Sequence, residues 1–121
     1  MPLVLCTGAN TSLMKTRQLI LENAGHTVVP AYNSQELEKI CSEHKFDVAV
    51  IGQSTPASLK REHMAVIRKS CPTSKVLELF APYVGRVLDD ADAWLEMPPE
   101  TPQRFVETVN MLASRSSAPT I

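Results

Sequence analysis

The sequence has 121 residues, a length that suits one domain with its own hydrophobic core. Hydrophobic residues make up 44% of the chain and charged residues 21%, which is ordinary for a globular protein. Twelve basic residues against thirteen acidic ones give a net charge of −1, and this balance argues against nucleic-acid binding and against a polybasic membrane patch.

The cysteines and the N-terminus indicate the compartment. Cys6, Cys41 and Cys71 are odd in number and widely spaced, and they form no CxxC or Cys/His cluster, so neither a zinc site nor a disulfide framework is predicted. No basic and apolar leader precedes the first apolar run, and no stretch reaches the roughly eighteen apolar residues of a membrane helix. A cytoplasmic protein with reduced thiols is expected.

Short apolar runs alternate with segments of helical period, which predicts a parallel sheet with crossover helices. The first strand is predicted at residues 3–6. The helix after it is expected to be capped by Thr11 or Ser12 and to end at Gly25. Its inner face is predicted at three residues: Leu13, Ile20 and Ala24.

The second strand is predicted at residues 27–29, and the helix after it is capped by Asn33, with Glu36 as its capping-box partner. The third strand, at residues 46–51, is apolar enough to be covered on both faces. A third helix follows Pro56 and ends before Pro72.

The fourth and fifth strands are predicted at residues 75–80 and 93–97, with room between them for at most a short helix. Thr101 and Pro102 begin the last helix. Residues 115–121 are polar and contain proline, so we expect a domain at residues 1–114 and a frayed C-terminal tail.

Five stretches, in this order and spacing, resemble the receiver domain of bacterial response regulators over nearly the whole chain. They are VLCT at 4–7, LENAG at 21–25, FDVAVI running on from 46 to Pro56, VLELFA at 76–81, and LEMP at 95–98 followed by Thr101 and Pro102. The resemblance implies a doubly wound, flavodoxin-like sheet in the order 2-1-3-4-5, with any site at the carboxyl ends of the strands. It also implies a place in two-component or phosphorelay signalling.

Phosphorylation in that family needs two carboxylates that hold Mg²⁺, an aspartate nucleophile, a hydroxyl and a lysine. The resemblance places these five positions at Gly8, Ala9, Gly52, Phe80 and Met97. None of these residues can supply that chemistry, so a pseudo-receiver is implied, with no enzyme activity, cofactor or metal. Phe80 and Met97 are expected to fill the former site, and the Met97–Pro98 bond is a candidate for the cis form.

The first functional hypothesis is therefore a protein interaction module, whose partner is a signalling protein or a second copy of the chain. Tryptophan and arginine dominate interface hot spots, which makes Trp94 the leading candidate. The alternative is that Trp94 only covers the short segment before the fifth strand. The predicted partner surface consists of Arg86, Trp94, Glu96, Arg104 and Glu107.

The second hypothesis is a small enzyme or phosphocarrier built on Cys6. Residues 6–12 run from a strand into a helix N-terminus, where backbone N–H groups attract anions and lower the pKa of a thiol. This segment resembles the phosphocysteine loop of sugar-phosphotransferase IIB proteins, although it is one residue shorter and has Ser12 where a Cys-x5-Arg motif has arginine. The alternative is a buried, inert Cys6. A third hypothesis is that residues 8–12 bind a small anion or a nucleotide without chemistry, but this segment contains only one glycine, too few for a dinucleotide fingerprint or a P-loop.

Two further predictions concern single polar residues. Glu78 lies in the middle of a strand covered on both faces, so its carboxylate needs a partner such as a lysine. His63 is predicted to be a hydrogen-bonded residue on the inner side of its helix rather than a metal ligand. The acidic cluster before the fifth strand is predicted to be a solvated turn, and it consists of Asp89, Asp90 and Asp92.

Overall fold

The computed structural model describes residues 2–98 and 101–116. Its strands are β1 Leu3–Thr7, β2 Thr27–Ala31, β3 Val48–Ile51, β4 Lys75–Phe80 and β5 Ala93–Glu96. Its helices are α1 Thr11–Asn23, α2 Ser34–Glu43, α3 Ala57–Ser70 and α4 Pro102–Ser116. None of these helices has the length and apolar character needed to span a membrane.

All strand pairs are parallel, and the sheet has the order β2-β1-β3-β4-β5, which confirms the predicted topology. Helices cover both faces of the sheet, and every residue of the central strand β3 is therefore buried. One core cluster joins the sheet to α1 and α4 through residues such as Leu21 and Phe105. The other joins the opposite face to α2 and α3 through residues such as Leu37 and Ile67.

Two of the predicted helix ends are confirmed, the N-terminus of α2 and the C-terminus of α1. The Asn33 side chain accepts from the amide of Glu36 at 2.8 Å, and Gly25 lies in the left-handed region, with φ of 95°, just past α1. The predicted cap of α1, Thr11 or Ser12, is wrong. The cap is Asn10, whose side-chain oxygen accepts from the Leu13 amide at 3.0 Å.

The chain between β4 and β5, residues 81–92, contains turns but no helix, in agreement with the expectation of a short or absent fourth helix. We call these residues the β4–β5 segment. Its first turn closes through the Gly85 amide, which donates to the Ala81 carbonyl at 2.9 Å. The last helix begins at Pro102 as predicted and runs to Ser116, two residues into the expected tail. Residues 117–121 lie outside the described residues.

Candidate functional site at the carboxyl edge of the sheet

The carboxyl ends of the strands bring most of the five family positions to one edge. Gly8 directly follows β1, Gly52 directly follows β3, and Phe80 ends β4. The Gly52 amide donates to the Thr7 carbonyl at 3.0 Å, which ties the ends of β1 and β3 together. Met97 follows β5, and its amide donates to the Phe80 carbonyl at 2.8 Å. Ala9 is exposed beside Gly8, and the Met97–Pro98 peptide bond is cis.

Two side chains of α1 occupy the space next to the glycines of this edge. A Cβ atom at Gly8 would lie 3.4 Å from Cγ and 3.5 Å from Sδ of Met14. A Cβ atom at Gly52 would lie 2.9 Å from Nη1 of Arg17 and 3.2 Å from the Thr7 carbonyl oxygen. The guanidinium therefore occupies space that a side chain at position 52 would share. Sequence reasoning assigned the filling of this edge to Phe80 and Met97 and missed both α1 residues.

The buried stripe of α1 also differs from the prediction. Its buried residues are Met14, Arg17 and Leu21, whereas the predicted inner residue Ala24 is exposed and Leu13 is only partly buried. The spacing of three and four residues is the signal that could have found this stripe. It was missed because the stripe contains an arginine.

The residues at this edge do not fit a magnesium ion. Mg²⁺ in proteins is held by oxygen ligands, usually including carboxylates. Gly8, Ala9 and Gly52 bring no side-chain oxygen, and the group beside Gly52 is the cationic Arg17. Across the described part of the chain, no three His, Cys, Asp or Glu side chains are grouped so that they could hold a metal ion.

Arg17 is a buried charge without a partner. Arg17 is only 5% exposed, and its Nη2 atom is buried with no hydrogen-bond partner among the described residues. Burial lowers the pKa of Arg17, with a smaller opposing effect from the nearby Cys6 thiol. A guanidinium still remains protonated at neutral pH, so the positive charge persists in a buried place where an uncompensated charge is costly.

The position of Cys6 favours the alternative of a buried, inert thiol. Cys6 lies within β1 rather than in the loop after it, and its residue is 2% exposed in the core shared with α1 and α4. Burial raises the pKa of Cys6 to about 12, and the charge of Arg17 offsets this only in part. Because the thiolate is the nucleophile, the shift runs opposite to what catalysis requires.

His63 is fully buried and hydrogen-bonded, as predicted. Its Nδ1 lies 3.2 Å from Oγ1 of Thr7, at the end of β1. Burial lowers the pKa of His63, against a smaller raising effect from Glu62. A neutral imidazole that links α3 to β1 is therefore the form that stabilises the fold at neutral pH.

Glu78 has the lysine partner that the sequence required. Its Oε2 accepts from Nζ of Lys60 at 2.8 Å, and both residues are almost completely buried. The same carboxylate accepts from the amides of Val87, at 2.9 Å, and Leu88, at 2.8 Å. Lys60 Nζ also donates to the Leu79 carbonyl at 2.9 Å. This buried ion pair therefore anchors the β4–β5 segment to the sheet.

The acidic cluster of that segment is not uniformly a solvated turn. Asp89 and Asp90 are exposed, as expected. Asp92 is partly buried, and its Oδ2 accepts from the Val76 amide at 2.7 Å and lies 3.3 Å from Nη2 of Arg68. The prediction was wrong for Asp92, because this residue lies beside Val76 just before β5 begins and its carboxylate satisfies the Val76 amide.

Of the predicted partner surface, the structure brings Arg86 and Trp94 together. The Arg86 guanidinium lies 4.6 Å from the centre of the Trp94 ring and 5.9 Å from that of Phe80. Trp94 is half-buried, and its Nε1 donates to the Leu88 carbonyl at 2.8 Å. It therefore does cover the β4–β5 segment. The remaining predicted positions are exposed, and they are Glu96, Arg104 and Glu107.

The two halves of that surface belong to opposite faces of the sheet. Trp94 packs with the cluster that holds α2 and α3, whereas α4, which carries Arg104, packs on the other cluster. Sequence reasoning also missed the most exposed apolar residues of the β4–β5 segment. These are Tyr83, 90% exposed, and Val84, 61% exposed, in the turn just before Arg86.

No protein-family model matches the sequence, and no curated protein matches it. Solved structures do match. The receiver domain of a Francisella response regulator aligns with a TM-score of 0.76 at 20% identity, over 97% of this chain and 100% of that one. A receiver domain protein from Clostridium thermocellum gives 0.80 at 21% identity, over 95% and 96%.

The receiver domain of a histidine kinase from Syntrophus aciditrophicus aligns with a TM-score of 0.81 at 18% identity, over 99% of this chain and 96% of that chain. Identities this low establish a shared fold and leave function to other arguments. The fold of this chain is that of response-regulator receiver domains.

Proposed function

We propose that this chain is a receiver-type signalling domain that works through protein contacts and is not phosphorylated. The receiver fold supports the signalling role by analogy. One observation carries the loss of phosphorylation: at the position after β3 there is a glycine, and the Arg17 guanidinium lies against it. An acyl phosphate needs a carboxylate at this position, so the domain has no covalent chemistry there and needs no cofactor.

Incubation with acetyl phosphate and Mg²⁺ is expected to leave the mass of the protein unchanged. A phosphorylated receiver would gain about 80 Da, the mass of one phosphoryl group. The Gly52→Asp variant is expected to stay unmodified as well, because Gly8 and Ala9 offer no carboxylate for the metal. Intact-protein mass spectrometry measures both. A phosphorylatable receiver domain treated in parallel is the positive control, and an adduct on the wild-type chain would contradict the proposal.

The contact surface that we propose is centred on the β4–β5 segment. Tyr83 and Val84 expose apolar surface that stabilises nothing in the domain, and Arg86 beside them is stacked on Trp94. Aromatic side chains and arginine are enriched at protein interfaces. The predicted positions Glu96, Arg104 and Glu107 would extend this surface around the β5 edge. The partner is a signalling protein or a second copy of this chain.

The homodimer version predicts that the mass in solution rises from 13.3 kDa towards twice that value as concentration increases. The Tyr83→Ser variant is expected to weaken self-association about ten-fold or more, because an exposed aromatic anchor is lost. Size-exclusion chromatography with light scattering measures this over a concentration series. Leu19→Ser is the matched control, since Leu19 is also an exposed apolar residue, 52% exposed, on α1. A strict monomer at every concentration would exclude self-association and leave a different protein as the partner.

A further inference from the structure

A cavity of about 280 Å³ opens at the carboxyl edge of the sheet, between α1 and α4. Its polar wall includes Arg17 and Gln53. Its apolar wall is formed by six residues: Leu13, Ile20, Met97, Pro98, Pro102 and Phe105. An apolar cavity with a few convergent polar groups is the usual form of a small-molecule site.

Both polar groups of this wall lack partners. Nη2 of Arg17 and Oε1 of Gln53 are buried and have no hydrogen-bond partner among the described residues. Native structures satisfy nearly all such buried groups, and a buried positive charge without an anion is the most costly case. The guanidinium lies against Gly52, where a Cβ atom would lie 2.9 Å from Nη1. A small anion in the cavity would compensate the charge of Arg17.

We propose that this cavity binds a small organic acid with an apolar body, whose carboxylate pairs with Arg17. A carboxylate fits the planar donor fork of a guanidinium, and the apolar wall fits an aryl or branched alkyl group. Gln53 accepts a hydrogen bond from a hydroxyl or N–H group of the ligand. Inorganic phosphate would leave the apolar wall uncovered. The inference requires neither the loss of phosphorylation nor a protein partner, so it can be tested independently of the proposed function.

The direct test is a titration of the protein with 3-phenylpropionate, followed by two-dimensional amide NMR at Gly52 and Gln53. We expect a Kd of about 1 mM or tighter, which is reasonable for a ligand of this size. The uncharged analogue methyl 3-phenylpropionate, which has no N–H or O–H donor of its own, is expected to bind about ten-fold more weakly or worse, because it cannot form the charge-assisted pair. Inorganic phosphate at the same concentrations is expected to cause no shifts at these amides.

Arg17→Met is expected to weaken binding of 3-phenylpropionate about ten-fold or more, since it keeps the side-chain volume and removes the charge. Lys15→Met is the matched control, because it removes a positive charge from an exposed position of the same helix. Its Kd is expected to equal that of the wild type.

A thermal readout separates loss of binding from loss of folding. Without ligand, Arg17→Met is expected to raise Tm, because an uncompensated buried charge is replaced by an apolar side chain. With 3-phenylpropionate at a concentration that saturates the wild type, Tm is expected to rise for the wild type and to rise less or not at all for the variant.

Three results would overturn the inference. The first is the absence of shifts at Gly52 and Gln53 up to about ten times the expected Kd. The second is equal affinity for the acid and its methyl ester, which would mean that Arg17 does not recognise the ligand. The third concerns Glu100, which lies outside the described residues. Glu100→Gln is expected to leave the Kd unchanged, and markedly tighter binding would show that a carboxylate of the chain itself is the resident partner.

Discussion

Replacement of Glu78 by leucine is expected to lower the free energy of unfolding by about 3–5 kcal/mol, because it breaks a buried ion pair and leaves one charge behind. Lys60 would keep only the Leu79 carbonyl as an acceptor. The amides of Val87 and Leu88 would also lose their acceptor, and each buried amide left unsatisfied adds to the cost. Such a loss is a large part of the stability of a typical domain, about 5–15 kcal/mol.

Denaturant unfolding followed by fluorescence measures this loss, and the reporter is built in, because Trp94 is the one tryptophan of the sequence. Glu96→Leu is the matched control. Glu96 is an exposed glutamate on the adjacent strand, and its replacement is expected to change the stability by about 0.5 kcal/mol or less. Combining Glu78→Leu with Lys60→Met is expected to cost less than the two single changes added together, because no charge is then stranded. Unchanged stability in Glu78→Leu would disprove the anchoring role.

Replacement of Trp94 by alanine is expected to lower the free energy of unfolding by about 2–3 kcal/mol, somewhat less than for a fully buried tryptophan. The ring covers the β4–β5 segment, receives the Arg86 guanidinium on its face, and donates to the Leu88 carbonyl. Its loss exposes the segment and leaves that carbonyl unpaired. Amide hydrogen exchange at Val87 and Leu88 is expected to accelerate, since their protection depends on the segment staying closed.

Circular dichroism measures the stability of this variant, which contains no tryptophan. Trp94→Phe is the graded control, because it keeps an aromatic ring and loses only the indole N–H, at a cost of about 1 kcal/mol. Tyr83→Ser, at a fully solvated position nearby, is expected to leave the stability unchanged. Trp94→Ala with wild-type stability and exchange would mean that the ring is free for a partner. If Trp94→Ala is destabilised as expected, a loss of partner binding in this variant can result from opening of the β4–β5 segment. Tyr83→Ser is then the better probe of the contact surface.

The order of the elements and most of their ends were predictable from the amino-acid sequence alone. The strands were predictable because a central parallel strand must be apolar on both faces, as residues 46–51 are. The Asn33 cap and the glycine after α1 were predictable because each depends on a few neighbouring residues. The sheet order followed from these elements together with the resemblance to receivers.

Contacts between residues that are far apart in the sequence could be identified only from the folded chain. The sequence required a cation for Glu78, but Lys60 became its partner because α3 lies over β4. The predicted inner face of α1 was wrong because Arg17 is buried against Gly52, a residue that belongs to a different βα unit. The periodicity of apolar residues indicates which face of a helix packs on the core. The free-energy cost of burying a charge, in contrast, depends on groups that lie far away in the sequence.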